Sequence, residues 1–265
     1  VSIVLLNAEE CERMREAGQV AAATLAVVAA RIRPGISTAD IDRWVREDTE
    51  QRGARPSQLG YHGFPAAVCT SRNEVVCHGI PSETEILQDG DIINVDVTSE
   101  YNGFHGDTSR TVVLGTPTPD KARVVDVCRR ALRAGIEQVR PGARLGDVGA
   151  AIEELARAEG CGTVRQFGGH GIGRKMHLPP HVGHHGPRGR GLKLRPGMAF
   201  TIEPMITIGN PKVVVTEDGW RAITLDGSPT AQFEHTILVT EEGFEILTLP
   251  PAEAEMMPTD VAAGA

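Results

Sequence analysis

A shift of 107 residues lays the second part of the chain over the first without a gap. Arg33-Pro34-Gly35 falls on Arg140-Pro141-Gly142, Asp40 on Asp147 and Gly53 on Gly160. Leu87, Gly90 and Asp96 fall on Leu194, Gly197 and Glu203. Any single pair is weak, because Gly and Pro recur by chance. One register held through helix, turn and strand is the mark of an internal repeat. Two similar halves pack about a pseudo-twofold axis, as identical surfaces do in a dimer, which would place Asp96 and Glu203 as symmetry mates near that axis.

The local signals give each half the same order of helix, helix, strands. Asn7 with Glu10 reads as a capping box opening a helix to about residue 33, where Pro34-Gly35 breaks it. Ser37 with Asp40 opens a second helix to about residue 53. Residues 66–77 read as short strands, and residues 91–98 and 104–114 as strands flanking a turn at 100–103. A third helix is expected from Thr118-Pro119 to about residue 141 and a fourth from 145 to 160. Strands follow at 199–208, 213–224 and 231–240. The class is therefore α+β. The halves span roughly 8–115 and 116–248 of one domain at 1–250, and residues 251–265 form a patternless tail, expected to be disordered.

The strands carry charges where charges are costly. Asp96 sits among Ile92, Ile93, Val95 and Val97, so partial burial is expected. Counting from a turn centred at Tyr101-Asn102, Asp96 and Asp107 would face each other across a regular hairpin. Like charges so placed destabilise a sheet unless something compensates them. Glu203 and Glu234, equidistant from Asp218-Gly219, repeat the arrangement. Buried charges without partners are rare, and a divalent cation is the simplest partner for four of them. An added imidazole favours transition metals. His170, flanked by Gly169 and Gly171, is the natural source of one. That glycine-rich run is not a dinucleotide motif, because Arg174 stands where the third glycine is required.

A formal charge of −8 argues against DNA or anionic membranes as general partners. The longest apolar run, residues 20–30, is too short for the ~20 residues that span a bilayer. Five cysteines without Cys-x-x-Cys spacing read as free thiols. With no basic-then-apolar leader at the start, the expected location is the cytoplasm.

Taken together, Cys77-His78-Gly79-Ile80-Pro81, Asn94-Val95-Asp96-Val97-Thr98, Gly106-Asp107-Thr108, Gly169-His170-Gly171-Ile172-Gly173, Thr201-Ile202-Glu203-Pro204 and Glu234-His235-Thr236 resemble type I methionine aminopeptidases over residues 8–248. The resemblance implies the pita-bread fold and two divalent cations (cobalt, manganese, iron(II), zinc or nickel). Asp107 and Glu234 would bridge them, Asp96 would hold one, and His170 with Glu203 the other. It makes Glu203 the proton shuttle and His78 and His177 the histidines that contact substrate. Tyr61, Phe64, Cys69 and Trp220 would line the pocket for a methionine side chain. The implied partner is the N-terminal Met of nascent chains with a small next residue, acted on by a monomer. Met176 and Leu178-Pro179-Pro180 depart from the family pattern at the pocket rim. The rivals are an Xaa-Pro aminopeptidase or prolidase of the same fold and a non-catalytic relative used for binding. The histidines at 181, 184 and 185 lack the helical frame of a separate zinc site. The basic run Arg188, Arg190, Lys193, Arg195 reads chiefly as a solvated loop, with transient ribosome contact as the alternative.

Overall fold

The structure is a computed structural model and describes residues 2–250. In the first half, α1 (Ala8–Ala29) begins where the Asn7 side chain accepts the Glu10 N–H at 3.0 Å and Glu10 accepts the Asn7 N–H at 3.1 Å. α2 (Thr38–Gln51) opens on the same reciprocal pair, Ser37 with Asp40. Each such cap stabilises its helix by about 1 kcal/mol. α1 stops a turn short of the expected end, because Arg31 and Ile32 donate to Val28 and Ala29 in tight i→i−3 turns. β1 (Arg55–Pro56), β2 (Cys69–Arg72), β3 (Val75–Cys77), β4 (Ile92–Tyr101) and β5 (Phe104–Val113) complete this half. β4 pairs with β5 on one edge and with β2 and β1 on the other.

The second half holds α3 (Pro119–Ile136), α4 (Leu145–Ala158), β6 (Gly162–Thr163), β7 (Gly169–Gly171), β8 (Leu178–Val182), β9 (Ala199–Ile202), β10 (Met205–Thr207), β11 (Val213–Val215), β12 (Ala222–Thr224), β13 (Thr230–Gln232), β14 (His235–Val239) and β15 (Phe244–Ile246). α3 also ends early, at the same kind of turn, where Val139 donates to Ile136. A five-stranded sheet runs β15-β14-β9-β7-β8, and β13-β10-β6 forms a second sheet. β12 reaches across to pair with β3 of the first half.

The offset of 107 recurs in the backbone itself. α2 and α4 share it at both ends, and so do the hydrogen bonds from Gly35 to Leu87 and from Gly142 to Leu194. The Ser37–Ile86 bridge has its counterpart in Arg144–Lys193. The caps differ in one respect. Arg144 offers no side-chain acceptor, so only the return bond remains, Asp147 accepting the Arg144 N–H at 2.8 Å.

Period-2 alternation decides what the sheet presents to each side. Ile93, Val95 and Val97 of β4 pack with Leu25, Ile41 and Val45 beneath α1 and α2. In the second half Phe200 and Ile202 of β9 and Ile237 and Val239 of β14 pack with Val124, Val148 and Ile152 beneath α3 and α4. Burying each large aliphatic side chain contributes about 1.5–3 kcal/mol. Asn94, Asp96, Thr98, Thr201 and Glu203 take the intervening positions.

The hairpin register corrects one expectation. Asn102 (φ 51°) and Gly103 (φ 79°) form the two-residue turn, a left-handed pair that suits a tight hairpin. The turn is therefore centred one residue later than Tyr101-Asn102. Asp107 stands opposite Thr98, and Asp96 opposite Ser109. The two carboxylates are diagonal neighbours on one face. Two strands, β7 and β8, lie in the segment around His170, which the sequence had marked only as Gly- and Pro-rich. Gly169 permits this: a Cβ there would lie 2.1 Å from the Thr201 carbonyl oxygen. The expected tail at 251–265 lies outside the described residues.

Candidate metal centre

β5 meets β14 along a seam made largely by threonine side chains. Thr236 Oγ1 donates to the Asp107 carbonyl at 2.8 Å and accepts the Asp107 N–H at 3.1 Å. Thr108 Oγ1 donates to the Glu234 carbonyl at 2.9 Å, and the Glu234 N–H donates to the Ser109 carbonyl at 3.0 Å. Thr111 and Asn94 both donate to the Gln232 carbonyl. A hydroxyl that donates and accepts at once replaces a ladder rung where the strands no longer run in register. This seam brings Asp107 and Glu234 together from positions far apart in the chain.

β9 and β14 supply the other contact. Ile202 pairs with His235, so Glu203 and Glu234 leave the ladder side by side, and both line one cavity. On the first half Asp96 and Asp107, diagonal neighbours on one strand face, line the same cavity. His170 Nδ1 bonds the Gly171 carbonyl at 3.1 Å, which turns Nε2 inward, 3.6 Å from Asp107 Oδ2 and 3.6 Å from Glu203 Oε1. Ligand atoms of Asp107, His170 and Glu234 all lie within 4.8 Å of one another, the one such trio among the described residues. Asp96 and Glu203 adjoin that trio, so all five expected ligands converge.

Several residues given no role at the sequence level hold these groups. Thr98 Oγ1 donates to Asp107 Oδ1 at 2.8 Å. Thr201 Oγ1 donates to Glu203 Oε1 at 2.7 Å while accepting the His170 N–H at 3.0 Å. Gln58 Nε2 donates to the Asp96 carbonyl and carboxylate at 2.9 and 3.2 Å. Thr98 and Thr201 lie two residues from ligands on the same strand face, a signal that period-2 counting offers. Gln58 and His184, which lies against Glu203, leave no such signal.

Burial pushes the Asp96 carboxyl well above its usual range, and the charges of Asp107 and Glu203 add to it. Burial does the same to Glu234, reinforced by Asp107, Glu203 and Asp96. Glu203 is pushed up to about 7 by burial, against the pull of His170 and Thr201. Burial works against the His170 cation, but the nearby carboxylates of Asp107 and Glu203 outweigh it and raise its pKa. A cluster of acids this starved of positive charge fits divalent cations, and the mixed oxygen and imidazole donors fit transition metals.

Binding must then displace the protons the acids hold. Glu203 is largely protonated at about pH 6 and largely ionised only at about pH 8. Affinity for manganese(II) should therefore rise with pH between about 5.5 and 8, by up to about tenfold per unit for each proton displaced. Calorimetry in buffers of different ionisation enthalpy measures that release. A pH-independent affinity would contradict the assignment.

The same cavity, about 170 Å³, is lined by all the remaining expected residues, Tyr61, Phe64, Cys69, His78, His177 and Trp220, together with Met176. Phe64 and Trp220 meet edge to face at 5.1 Å. His177 stands at the exposed rim, its Nδ1 2.9 Å from the Tyr61 hydroxyl and its ring 4.1 Å from that of His170. His78 follows β3 at φ 57°, a conformation costly for a residue other than glycine. Strain of this kind clusters at functional sites. Burial lowers the His78 pKa, so its ring is neutral at pH 7. A recess of about 320 Å³ adjoins the first cavity and shares His78, His170, His177 and Glu203. A larger cavity, about 490 Å³, lies between α1 and α3, away from the acid cluster. Size alone does not mark the site.

The profile of metallopeptidase family M24 matches residues 12–241. Methionine aminopeptidase A of Synechocystis is 53% identical over 248 residues, covering 94% of this chain and 98% of that protein. Methionine aminopeptidase of Escherichia coli is 44% identical over 250 residues, covering 94% and 95%. The crystal structure of methionine aminopeptidase from Rickettsia prowazekii superposes with a TM-score of 0.92 at 43% identity, over 94% of this chain and all of that one. A prolidase from Pyrococcus furiosus shares the fold, with a TM-score of 0.76 at 21% identity over 93% of this chain and 65% of its own. Fold and site together define a metallopeptidase of the α+β pita-bread architecture. The chain belongs to metallopeptidase family M24 and, within it, to the methionine aminopeptidases.

Proposed function

We propose that this chain hydrolyses the bond after an N-terminal methionine when the next residue is small, using two divalent cations held by Asp96, Asp107, His170, Glu203 and Glu234. The observation that carries the reading is one cavity with an acid and imidazole floor and apolar walls, opening beside a recess that shares its histidines. The apolar part suits the methionine side chain, and the recess suits the rest of the peptide.

Cations bound here supply Lewis acidity, lowering the pKa of water and polarising the scissile carbonyl. Glu203 accepts a proton from the attacking water at a carboxylate oxygen and returns it to the nitrogen as the C–N bond breaks. His78 donates an N–H toward the carbonyl oxygen, where negative charge develops. His177, held by the Tyr61 hydroxyl, orients the peptide at the rim. Asp107 and Glu234, joined across the seam, would be among the residues that hold the cations.

The decisive experiment is elemental analysis of the purified chain with peptide cleavage before and after chelation. Met-Gly-Met-type and Xaa-Pro peptides are compared side by side. Cleavage of the Met peptide that chelation abolishes supports the reading, and a preference for Xaa-Pro peptides rejects it.

Met176 is buried in the cavity wall and is expected to set its size. Met176→Ala should reduce the preference for Met-terminal over Phe-terminal peptides by about tenfold in kcat/KM, the scale of a small change of pocket volume. An unchanged ratio would remove Met176 from the specificity wall.

The site is complete within one chain, which supports action as a monomer. Among the described residues no helix is long and apolar enough to cross a membrane, and the five cysteines are free. Ribosome contact through the basic loop has less support, because Arg188 already pairs with Glu154 at 2.6 Å. Charge neutralisation at Arg190, Lys193 and Arg195 is expected to leave cosedimentation with ribosomes unchanged, and a loss would restore the docking idea.

A further inference from the structure

Glu203 sits at a break in the sheet. β9 ends at Ile202 and β10 begins at Met205, with Pro204 between them. The Glu203 N–H finds its acceptor outside the sheet: it donates to Nε2 of His184 at 3.1 Å. A backbone N–H is always a donor, so Nε2 must carry a lone pair, and the ring is neutral with its proton on Nδ1. His184 is 1% exposed. It belongs to a segment clamped onto α4, where a Cβ on Gly149 would lie 2.6 Å from the carbonyl oxygens of both Gly183 and His185. Asp147 and Glu153 of the same helix accept the N–H groups of Gly189 and Gly186 at 2.7 and 3.2 Å.

We propose that His184 is a positioning residue for the reaction: fixed on α4, its imidazole accepts the Glu203 N–H and sets the backbone from which the Glu203 carboxylate reaches the site. Thr201 Oγ1 steers one carboxylate oxygen at 2.7 Å, and Gln232 Nε2 approaches the other at 3.4 Å. Those contacts orient the carboxylate only if the main chain beneath it is in place. The inference rests on the reading of Glu203 as proton carrier and cation ligand.

The test compares His184→Leu, which fills the space without an acceptor, with His184→Gln, whose Oε1 replaces Nε2. Kinetics on a Met-Gly-Met peptide, manganese(II) titration of the metal-free chain and thermal melting are measured on both. His184→Leu should lower kcat by about 10- to 100-fold, the range for partners that orient metal ligands, with KM within about twofold. It should also weaken manganese(II) binding, while His184→Gln restores both to within about threefold. Wild-type kcat and affinity in a folded His184→Leu overturn the proposal, and so does an equal loss in both variants. If His184→Leu does not fold, the bond is read directly in the ¹⁵N-labelled wild-type chain. A coupling between the Glu203 amide nitrogen and His184 Nε2 supports the proposal, and its absence overturns it. Glu203→Gln separates the two readings. If it is inactive while His184→Leu is normal, only the role of His184 fails; if it too is fully active, the role of Glu203 fails.

Discussion

Replacing Asp107 by alanine is expected to bring peptide cleavage to background and to remove cation binding. Asp107 touches several groups of the centre. It neighbours Asp96, accepts from Thr98 at 2.8 Å and lies 3.6 Å from His170 Nε2. Loss of Asp107 would remove a carboxylate from the set that would hold the cations, and with it the Lewis acidity they would supply. Misfolding would give the same silence, so Asp107→Asn is the partner experiment. Asparagine keeps an acceptor for Thr98 and leaves the backbone bonds to Thr236 in place. In the metal-free state it removes one carboxyl from a crowded, buried acid cluster, so the variant should melt no lower than the parent near pH 7. A folded Asp107→Asn that still binds two cations per chain would dismantle the ligand assignment.

A second large effect is expected at His78. His78→Ala should lower kcat by about 10²–10³-fold, the loss typical when a donor to a developing oxyanion is removed. Cation content should stay at the parent value, since His78 is outside the acid cluster. Its left-handed backbone complicates the choice of substituent. Alanine keeps the strain and loses the packing against Phe167, whose ring lies 5.5 Å away. Asparagine adopts this conformation more readily and retains a donor, so His78→Asn should recover part of the rate. Complete loss of the cations in either variant, by elemental analysis of folded protein, would show that His78 belongs to the ligand set.

The candidate ligands were legible because burying charge in a strand is costly and therefore conspicuous. Asp96 between Val95 and Val97 needs only the alternation rule to be seen as a charge displaced from solvent. The repeat was legible because helix caps and Pro-Gly breaks are local, and the 107-residue offset preserves them. Local reasoning went wrong at the hairpin, where the left-handed Asn102-Gly103 turn outweighed a turn centred one residue earlier. The paired carboxylates became diagonal neighbours, and Thr98 took the place opposite Asp107. It was also silent on β7 and β8, because glycine's lack of a side chain reads as weak strand preference. Here that same lack lets β7 lie against Thr201.

The residues that aim the ligands were out of reach of any periodicity. Thr236 bonds Asp107 across 129 positions of chain, and His184 meets Glu203 only after the segment that carries it has closed onto α4. Composition, spacing and caps act over a few residues, and they determined the helices, the doubled plan and five candidate metal-binding side chains. The distances among those side chains, the raised pKa values of Asp96, His170, Glu203 and Glu234 and the cavity they share arose only when the halves joined. Hydrogen bonding and desolvation act through space, so their partners are named by the fold.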